Sequence, residues 1–567
     1  MLLQHRTESI SKSAAQDLTF VIKHPLTDLI SNFHSNPVLS IMKILSGILY
    51  CGLAMLVASI AGCTHGFEEI NTDPNKMQVG DLQPYGMFEP LLYGMANQQT
   101  YYAYYWTDEL AQFTVSSLTA QERHRYKITD IQWGSLWNNY AGKGLNATHM
   151  YELGVKFGDK GCQAVALTLK VYALSNLTDL FGDIPYSEAY RQREGIDRPR
   201  FDTQKEVYEQ MFAELETANE LYAQQPTFER ASLDIMYGGD MKLWRKFNNS
   251  LYLRLLCRVS GRPEMKAGEK IAAMLKDSSK YPLIASNTEN ATIHNTGVDP
   301  YFGRFRPADM TKMNFTSSAY KIAKQFIAMT TIADGADSEQ DPRLTTWAER
   351  DGDDWKGATA GCELADQQVD VKDCALLNYK VLVRDDAPNF LMDYSEIRFI
   401  MAEAALKGWI DGGEAQARVY YESAVKASCQ KWAELERYSD VKAPIDDNAI
   451  AKLLAGRLAG WDSHTDKERL IAEQKYLSLF WVGLESYHEL RRTSWPELTI
   501  GRGALYNDWH LPQRMGYPSE SVGSNPDNVN AALSNMGGVN NMLTPVWWSY
   551  KAINGTFREV RPDNAIN

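Results

Sequence analysis

The chain has 567 residues, 44% hydrophobic and 11% aromatic, with 58 basic against 71 acidic side chains and a formal net charge of −13. An acidic balance argues against nucleic acid or anionic lipid as a partner, since both need clustered positive charge. The seven cysteines show no Cys-x-x-Cys spacing, so neither a zinc knuckle nor a disulfide framework is indicated.

Residues 1–41 carry Pro25, Pro37, scattered charges and no clean periodicity, and are read as a spurious N-terminal extension. Residues 42–63 then run from Lys43 through an apolar stretch to Ile60-Ala61-Gly62-Cys63. This layout resembles a bacterial lipoprotein signal peptide (42–62) whose cysteine, Cys63, becomes the lipidated N-terminus. An uncleaved anchor helix or a buried helix is the alternative, but seventeen residues diluted by Ser46, Gly47, Gly52 and Ser59 sit at the lower limit for a span. Without its first 62 residues, which hold four basic and three acidic side chains, the chain keeps 505 residues and a charge of −14. All 14 tryptophans lie in that portion, read as one domain over 63–567.

Within it, helical periodicity recurs. Tyr101-Tyr102-Ala103-Tyr104-Tyr105-Trp106 is the densest aromatic cluster, and its rings would spread over roughly 200° of a regular helix, wider than the stripe one face buries. Helices are expected near 134–151 and 163–180. Thr203 and Glu206 form a capping box ahead of Val207, Met211, Leu215, Ala218 and Tyr222. Another helix spans 243–259 on Trp244, Phe247, Leu251 and Leu255. Asp393 with Glu396 opens one that runs to Gly408, and Gly412-Gly413 separates it from a helix rich in small residues at Ala415, Ala417, Ala424 and Ala427. The last runs unbroken from Glu468 through Trp481 to about Arg491, ahead of Pro496. The fold class is all-α, with tetratricopeptide-like antiparallel helix pairs and large irregular loop insertions at 281–340 and 345–391.

Several stretches match one family in order. They are Phe67-Glu68-Glu69-Ile70-Asn71-Thr72-Asp73-Pro74-Asn75, Asp179-Leu180-Phe181-Gly182-Asp183-Ile184-Pro185-Tyr186, Arg200-Phe201-Asp202-Thr203, Trp244-Arg245-Lys246-Phe247-Asn248-Asn249, Tyr394-Ser395-Glu396-Ile397-Arg398 with Ala402-Glu403-Ala404, and Gln474-Lys475-Tyr476 leading to Arg491-Arg492-Thr493. In these the chain resembles the SusD/RagB family of surface lipoproteins. The resemblance implies four tetratricopeptide-like units and a loop-rich ligand region. It also implies a role as nutrient-binding lid on a SusC-like TonB-dependent outer-membrane transporter, usually for glycans.

No Gly-x-Ser-x-Gly elbow, phosphate loop or His-Glu-x-x-His occurs, so no catalytic residue is assigned and no cofactor is expected. Sugar capture needs flat aromatic faces and polar partners for hydroxyls. The candidate contacts are Tyr102, Tyr105 and Trp106 from the cluster, Tyr301, Phe302 and Phe305 from the first long loop region, and Trp347, with Trp355 beyond. Asp334, Asp337 and Asp341, and Asp351, Asp353 and Asp354, are candidates for structural calcium, against the plainer reading of solvated turns. Arg254 and Arg258 are read as buried and ion-paired, Arg491-Arg492 as favouring a helix C-terminus. Cys362 and Cys374 flank a polar loop and are a candidate pair in an oxidising compartment. A protein-binding adaptor and a surface glycan hydrolase, whose carboxylate pair only geometry reveals, stand as alternative functions.

Overall fold

The structure, a computed structural model, describes residues 83–562; the export segment and Cys63 lie outside the described residues. Nine helices position the site: α1 (Phe88–Tyr102), α2 (Asp130–Phe157), α3 (Lys160–Phe181), α4 (Gln204–Ala223), α5 (Met241–Arg258), α6 (Tyr394–Leu406), α7 (Gly413–Glu436), α8 (Lys467–Ser478) and α9 (Glu485–Thr493). They pack in sequential pairs, α2 with α3, α4 with α5, α6 with α7 and α8 with α9.

Local chemistry sets the helix ends. Thr129 and Gln132 cap α2 reciprocally, Gly158 ends it at φ +70°, and Asp159 starts α3 by accepting from the Cys162 N–H. That two-residue turn forces the pair antiparallel. Gly144 of α2 allows close approach, since a Cβ there would meet Leu174 of α3 at 2.6 Å. Thr203 and Glu206 form the expected box on α4, and Asp240 caps α5. In α6 and α7 the small residues Ala402, Ala405, Ala417 and Ala424 are fully buried, letting two backbones lie close.

Two of the expected helices differ in detail. Asp393 precedes α6, but neither it nor Glu396 caps the helix; Asp393 pairs with Lys431 and Glu396 with Arg254, because buried charges need charged partners more than a helix end needs a cap. The single helix expected over 468–491 is two. The chain turns between α8 and α9 with Trp481 at φ +69° and Gly483 at φ +53°. A side chain on Gly483 would collide with Gln99 of α1, and its carbonyl accepts from Thr107 at 2.7 Å. The turn fits the helix pair against α1.

The two long insertions are not structureless. They contribute to short strands: β1 (Thr114–Ser116), β2 (Ala291–Ile293), β3 (Tyr320–Ile322), β4 (Ala348–Glu349), β5 (Leu376–Leu377) and β6 (Asn389–Met392). One sheet has the order β1-β3-β5-β4, all antiparallel, and β2 pairs antiparallel with β6 across a register irregularity.

An ion network joins the helices. Arg254 pairs with Glu396 and approaches Glu485; Arg258 pairs with Glu485 and lies 3.5 Å from Asp179. Glu489 binds Lys475 and Arg492, and Arg492 also binds Glu403. Arg254 and Arg258 are thus buried and paired, as expected. Arg491 and Arg492 lie in the last turn of α9, as expected, and each has a further partner there: Arg492 is ion-paired, and Arg491 donates to the carbonyls of Asp179 and Gln513. Cys362 and Cys374 are free buried thiols; Cys374 donates to the Asp370 carbonyl and Cys362 lies beside Arg125. Among the described residues no helix is long and apolar enough to cross a membrane.

Candidate ligand-binding site

On α1, Phe88, Leu92, Met95 and Ala96 face the core while Glu89, Tyr93, Asn97 and Tyr101, at four-residue steps, stay partly exposed. The helix then widens into a π-turn over Ala103–Thr107. Such a turn advances less per residue than an α-turn, so Tyr105 stays above Tyr101, their ring centroids 4.5 Å apart. Tyr102 at the end of α1, and Tyr104 and Trp106 within the π-turn, face inward. Tyr104 stacks on Phe315 at 4.7 Å and 6°.

A loop some two hundred residues later completes the strip. The Tyr93 hydroxyl accepts from the Phe302 N–H at 2.9 Å and donates to the Phe302 carbonyl at 2.7 Å. The rings of Tyr93 and Tyr301 meet edge to face at 5.8 Å, and the Tyr301 hydroxyl donates to Glu89. That bond to a carboxylate, with partial burial, pushes the Tyr301 phenol up to about 12, so it remains a donor at physiological pH. Arg304 lies 4.8 Å over Tyr101 and Arg306 lies 3.6 Å over Phe302 while pairing with Asp385 at 3.2 Å. The result is a row of partly exposed rings, Tyr301, Phe302, Tyr93, Tyr101 and Tyr105, edged by two guanidiniums. Such a surface can stack the apolar face of a ring and donate to its hydroxyls.

A family model described as SusD-like_2, starch-binding associating with outer membrane, matches residues 74–518. The chain belongs to the SusD-like family. Solved structures agree on the fold. This SusD-like chain is similar to a SusD homolog from Bacteroides fragilis at 23% identity and a TM-score of 0.66, over 82% of this chain and 100% of that one. It is similar to a SusD homolog from Parabacteroides distasonis at 21% identity and a TM-score of 0.67, over 82% and 98%. It is likewise similar to a chitin-binding SusD homolog from Flavobacterium johnsoniae at 22% identity and a TM-score of 0.65, over 82% and 98%. No curated protein matches the sequence.

Of the ring candidates read from the sequence, the SusD-like fold brings Tyr105, Tyr301 and Phe302 into this strip. The other four are core residues. Tyr102 packs on Tyr140, Trp106 is covered, and Phe305 lies against Tyr104 and Phe315. Trp347 has no exposed surface among Trp432, Phe480 and Arg343. A side chain without a free face cannot stack on a ligand, so these four are withdrawn as contacts. Trp355 is half-exposed beside Arg350 and donates to Gln340.

Two rings of the strip, Tyr93 and Tyr101, are not among the sequence candidates: Tyr93 lies outside any aromatic run and Tyr101 opens one, and the four-residue spacing from Glu89 to Tyr105 is the signal that picks out both. The aspartates do not assemble a cation site: Asp334 binds Arg457, buried Asp341 is held by Arg343, and Asp351 binds Lys321. No group of three metal-ligating side chains occurs among the described residues.

Proposed function

We propose that this protein captures a neutral oligosaccharide outside the cell on the Tyr301–Phe302–Tyr93–Tyr101–Tyr105 strip and passes it, without bond chemistry, to a SusC-like TonB-dependent transporter. The row of partly exposed rings bordered by Arg304 and Arg306 carries this reading, because flat faces beside hydrogen-bond donors suit sugar rings. Lipid attachment at Cys63 would hold the domain on the outer membrane and raise its effective concentration beside the transporter. Two structurally similar proteins are described as chitin-binding, which makes chito-oligosaccharides the first ligands to test.

The test is calorimetry of residues 64–567 against chito-oligosaccharides, starch fragments and other glycans. Each aromatic contact contributes about 0.5–1.5 kcal/mol beyond area burial, so Tyr101→Ala with Tyr301→Ala should weaken binding about tenfold or more. Unchanged affinity in that double variant would move the site elsewhere. Product release by the wild type would argue for a hydrolase. Failure of a large outer-membrane barrel to co-purify under mild detergent would remove the transporter from the proposal.

A further inference from the structure

A cavity of about 280 Å³ lies between the C-terminal ends of α6 and α9, the first turns of α8 and the segment 548–558. The chain leaves α9 through Ser494 at φ +61°, and the Ser494 hydroxyl accepts from the Arg558 N–H at 2.6 Å, which fixes Arg558 on the cavity wall. Its guanidinium is held by three further contacts. Nη1 donates to the Thr493 carbonyl at 3.0 Å, and the group lies 4.6 Å from the ring of Trp495 and 4.4 Å from that of Tyr550. Both rings line the cavity, as does Trp409, whose indole lies against Gly268, where a Cβ would come within 2.8 Å of it.

The third contact leaves one edge of the guanidinium over. Nε and Nη2 of Arg558 have no hydrogen-bond partner among the described residues and keep contact with solvent. Those two nitrogens are the side-on pair that grips a carboxylate, and elsewhere in this molecule Arg254 uses the same two on Glu396 and Arg492 the same two on Glu489. The charges around the cavity cancel except at this group. Arg492 is matched by Glu403 and Glu489, Glu489 also by Lys475, and Lys407 by Glu468 at 3.5 Å, three cations against three carboxylates. Arg558 has no carboxylate within ion-pair distance among the described residues. At the helix ends the Ala404 carbonyl accepts from the Trp409 N–H and the Thr493 carbonyl from Arg558, so neither remains as a competing acceptor. One unmatched positive charge fits a single carboxylate better than a phosphate, which carries nearly two negative charges at neutral pH. The aromatic walls ask for an apolar body on that carboxylate, and a volume below the roughly 300 Å³ of drug-sized pockets holds one ring.

We propose that this cavity binds a single ring carrying one carboxylate, a uronic acid sugar or an aromatic acid, with the carboxylate on Nε and Nη2 of Arg558 and the ring among Trp409, Trp495 and Tyr550. The site shares no residue with the aromatic strip and does not depend on what the strip holds.

The experiment is ligand-observed NMR of the purified protein with glucuronate, galacturonate, benzoate and 4-hydroxybenzoate, and with glucose and benzyl alcohol as uncharged counterparts. It compares wild type, Arg558→Gln, Trp409→Ala and the Tyr101→Ala/Tyr301→Ala strip variant, each verified as folded by thermal unfolding. At least one carboxylate should bind the wild type and bind Arg558→Gln at least about tenfold more weakly, since a pair of charge-assisted bonds is lost. Trp409→Ala should also weaken it, and the strip variant should bind it unchanged. A response confined to the uronates makes the ligand an acidic sugar, and one confined to the benzoates makes it an aromatic acid. Binding of none of the four carboxylates overturns the proposal, and so does binding that both cavity variants leave unchanged or that the uncharged counterpart matches. Should Arg558→Gln fail to fold, Trp409→Ala and the uncharged counterparts still decide. Carboxylate binding lost in the strip variant alone also overturns it, whereas oligosaccharide binding lost there bears only on the strip.

Discussion

Glu396→Gln is the sharpest probe of what holds the helical frame together. Arg254 and Glu396 are both buried, and the guanidinium meets the carboxylate in a fork, Nε to Oε1 at 2.7 Å and Nη2 to Oε2. The amide keeps the shape and removes the charge. One bond of the fork becomes a bond to a neutral amide oxygen, the other faces an N–H₂, and Arg254 keeps the Leu391 carbonyl at 3.2 Å and, as its charged partner, Glu485, 3.7 Å away and shared with Arg258. Two charge-assisted bonds are worth about 1.5–3 kcal/mol each, and breaking a buried pair from one side costs about 3–5 kcal/mol. At about 2.1 cal/mol/K of unfolding entropy per residue, a body of roughly 480 residues has an unfolding entropy near 1 kcal/mol/K, so Tm should fall by about 3–5 °C. Differential scanning fluorimetry and urea titration at neutral pH measure this directly. The double change Arg254→Met with Glu396→Met should cost less than the sum of the singles, because it leaves less uncompensated charge. A single-variant cost below about 1 kcal/mol, or strict additivity in the pair, would show that the network is screened by water and does not clamp the helices.

Three further expectations bear on the core and the anchor. His124 is held neutral, lowered to about 3 by burial and by Arg125 and Arg123, and its Nδ1 accepts from the Gly361 N–H at 3.1 Å. The unfolded chain therefore binds a proton the folded one refuses below about pH 6.5, so stability should fall on acidification from there toward pH 3 by about 1.4 kcal/mol per unit from this group. His124→Asn, which preserves an acceptor, should flatten that slope in urea midpoints taken from pH 7 to 4; an unchanged slope would assign the acid loss elsewhere. Asp108 has the opposite sign, for burial and then Glu109 raise its carboxyl well above the usual range and neither oxygen has a partner. Its contribution is present below about pH 4 and lost as pH rises toward the folded pKa, so Asp108→Asn should be more stable than wild type at pH 7, with the gap closing toward pH 4; a gap independent of pH counts against this. Cys63→Ala should leave glycan affinity in solution unchanged and move the protein from the membrane to the soluble fraction; membrane retention of that variant would refute a lipid anchor.

Much of the frame was legible because its signals are local. Thr203 and Glu206 announce α4, the alanines of α6 and α7 announce close packing, and Gly412-Gly413 marks the break between them. The break at Trp481–Gly483 was not legible, since apolar spacing continues through it and the requirement for glycine comes from Gln99, far away in the chain. The insertions misled in a related way. Phe305 and Trp347 stand in segments without helical or alternating period, which reads as exposed loop, yet both rings are in the core, Trp347 at the end of a one-turn helix over Leu344–Trp347. In the aromatic run the residue types could not say which rings face outward, because that depends on a π-turn that re-phases the helix between Tyr101 and Tyr105.

The arginines divide into those that clamp the helical frame and those that lie over rings on the loops. In the frame, Arg254, Arg258 and Arg492 are each matched by buried carboxylates on neighbouring helices, so their charge clamps the pairs and does not reach solvent. On the loops, Arg304, Arg306 and Arg384 lie over Tyr101, Phe302 and Tyr438 instead. A guanidinium over a ring is held in place; Arg306 is also paired with Asp385, Arg384 is paired with Asp386 and donates to the Val381 carbonyl, and Arg304 has no carboxylate within ion-pair distance among the described residues. On the proposed reading, the selection of the ligand lies in loop geometry while the helices supply rigidity.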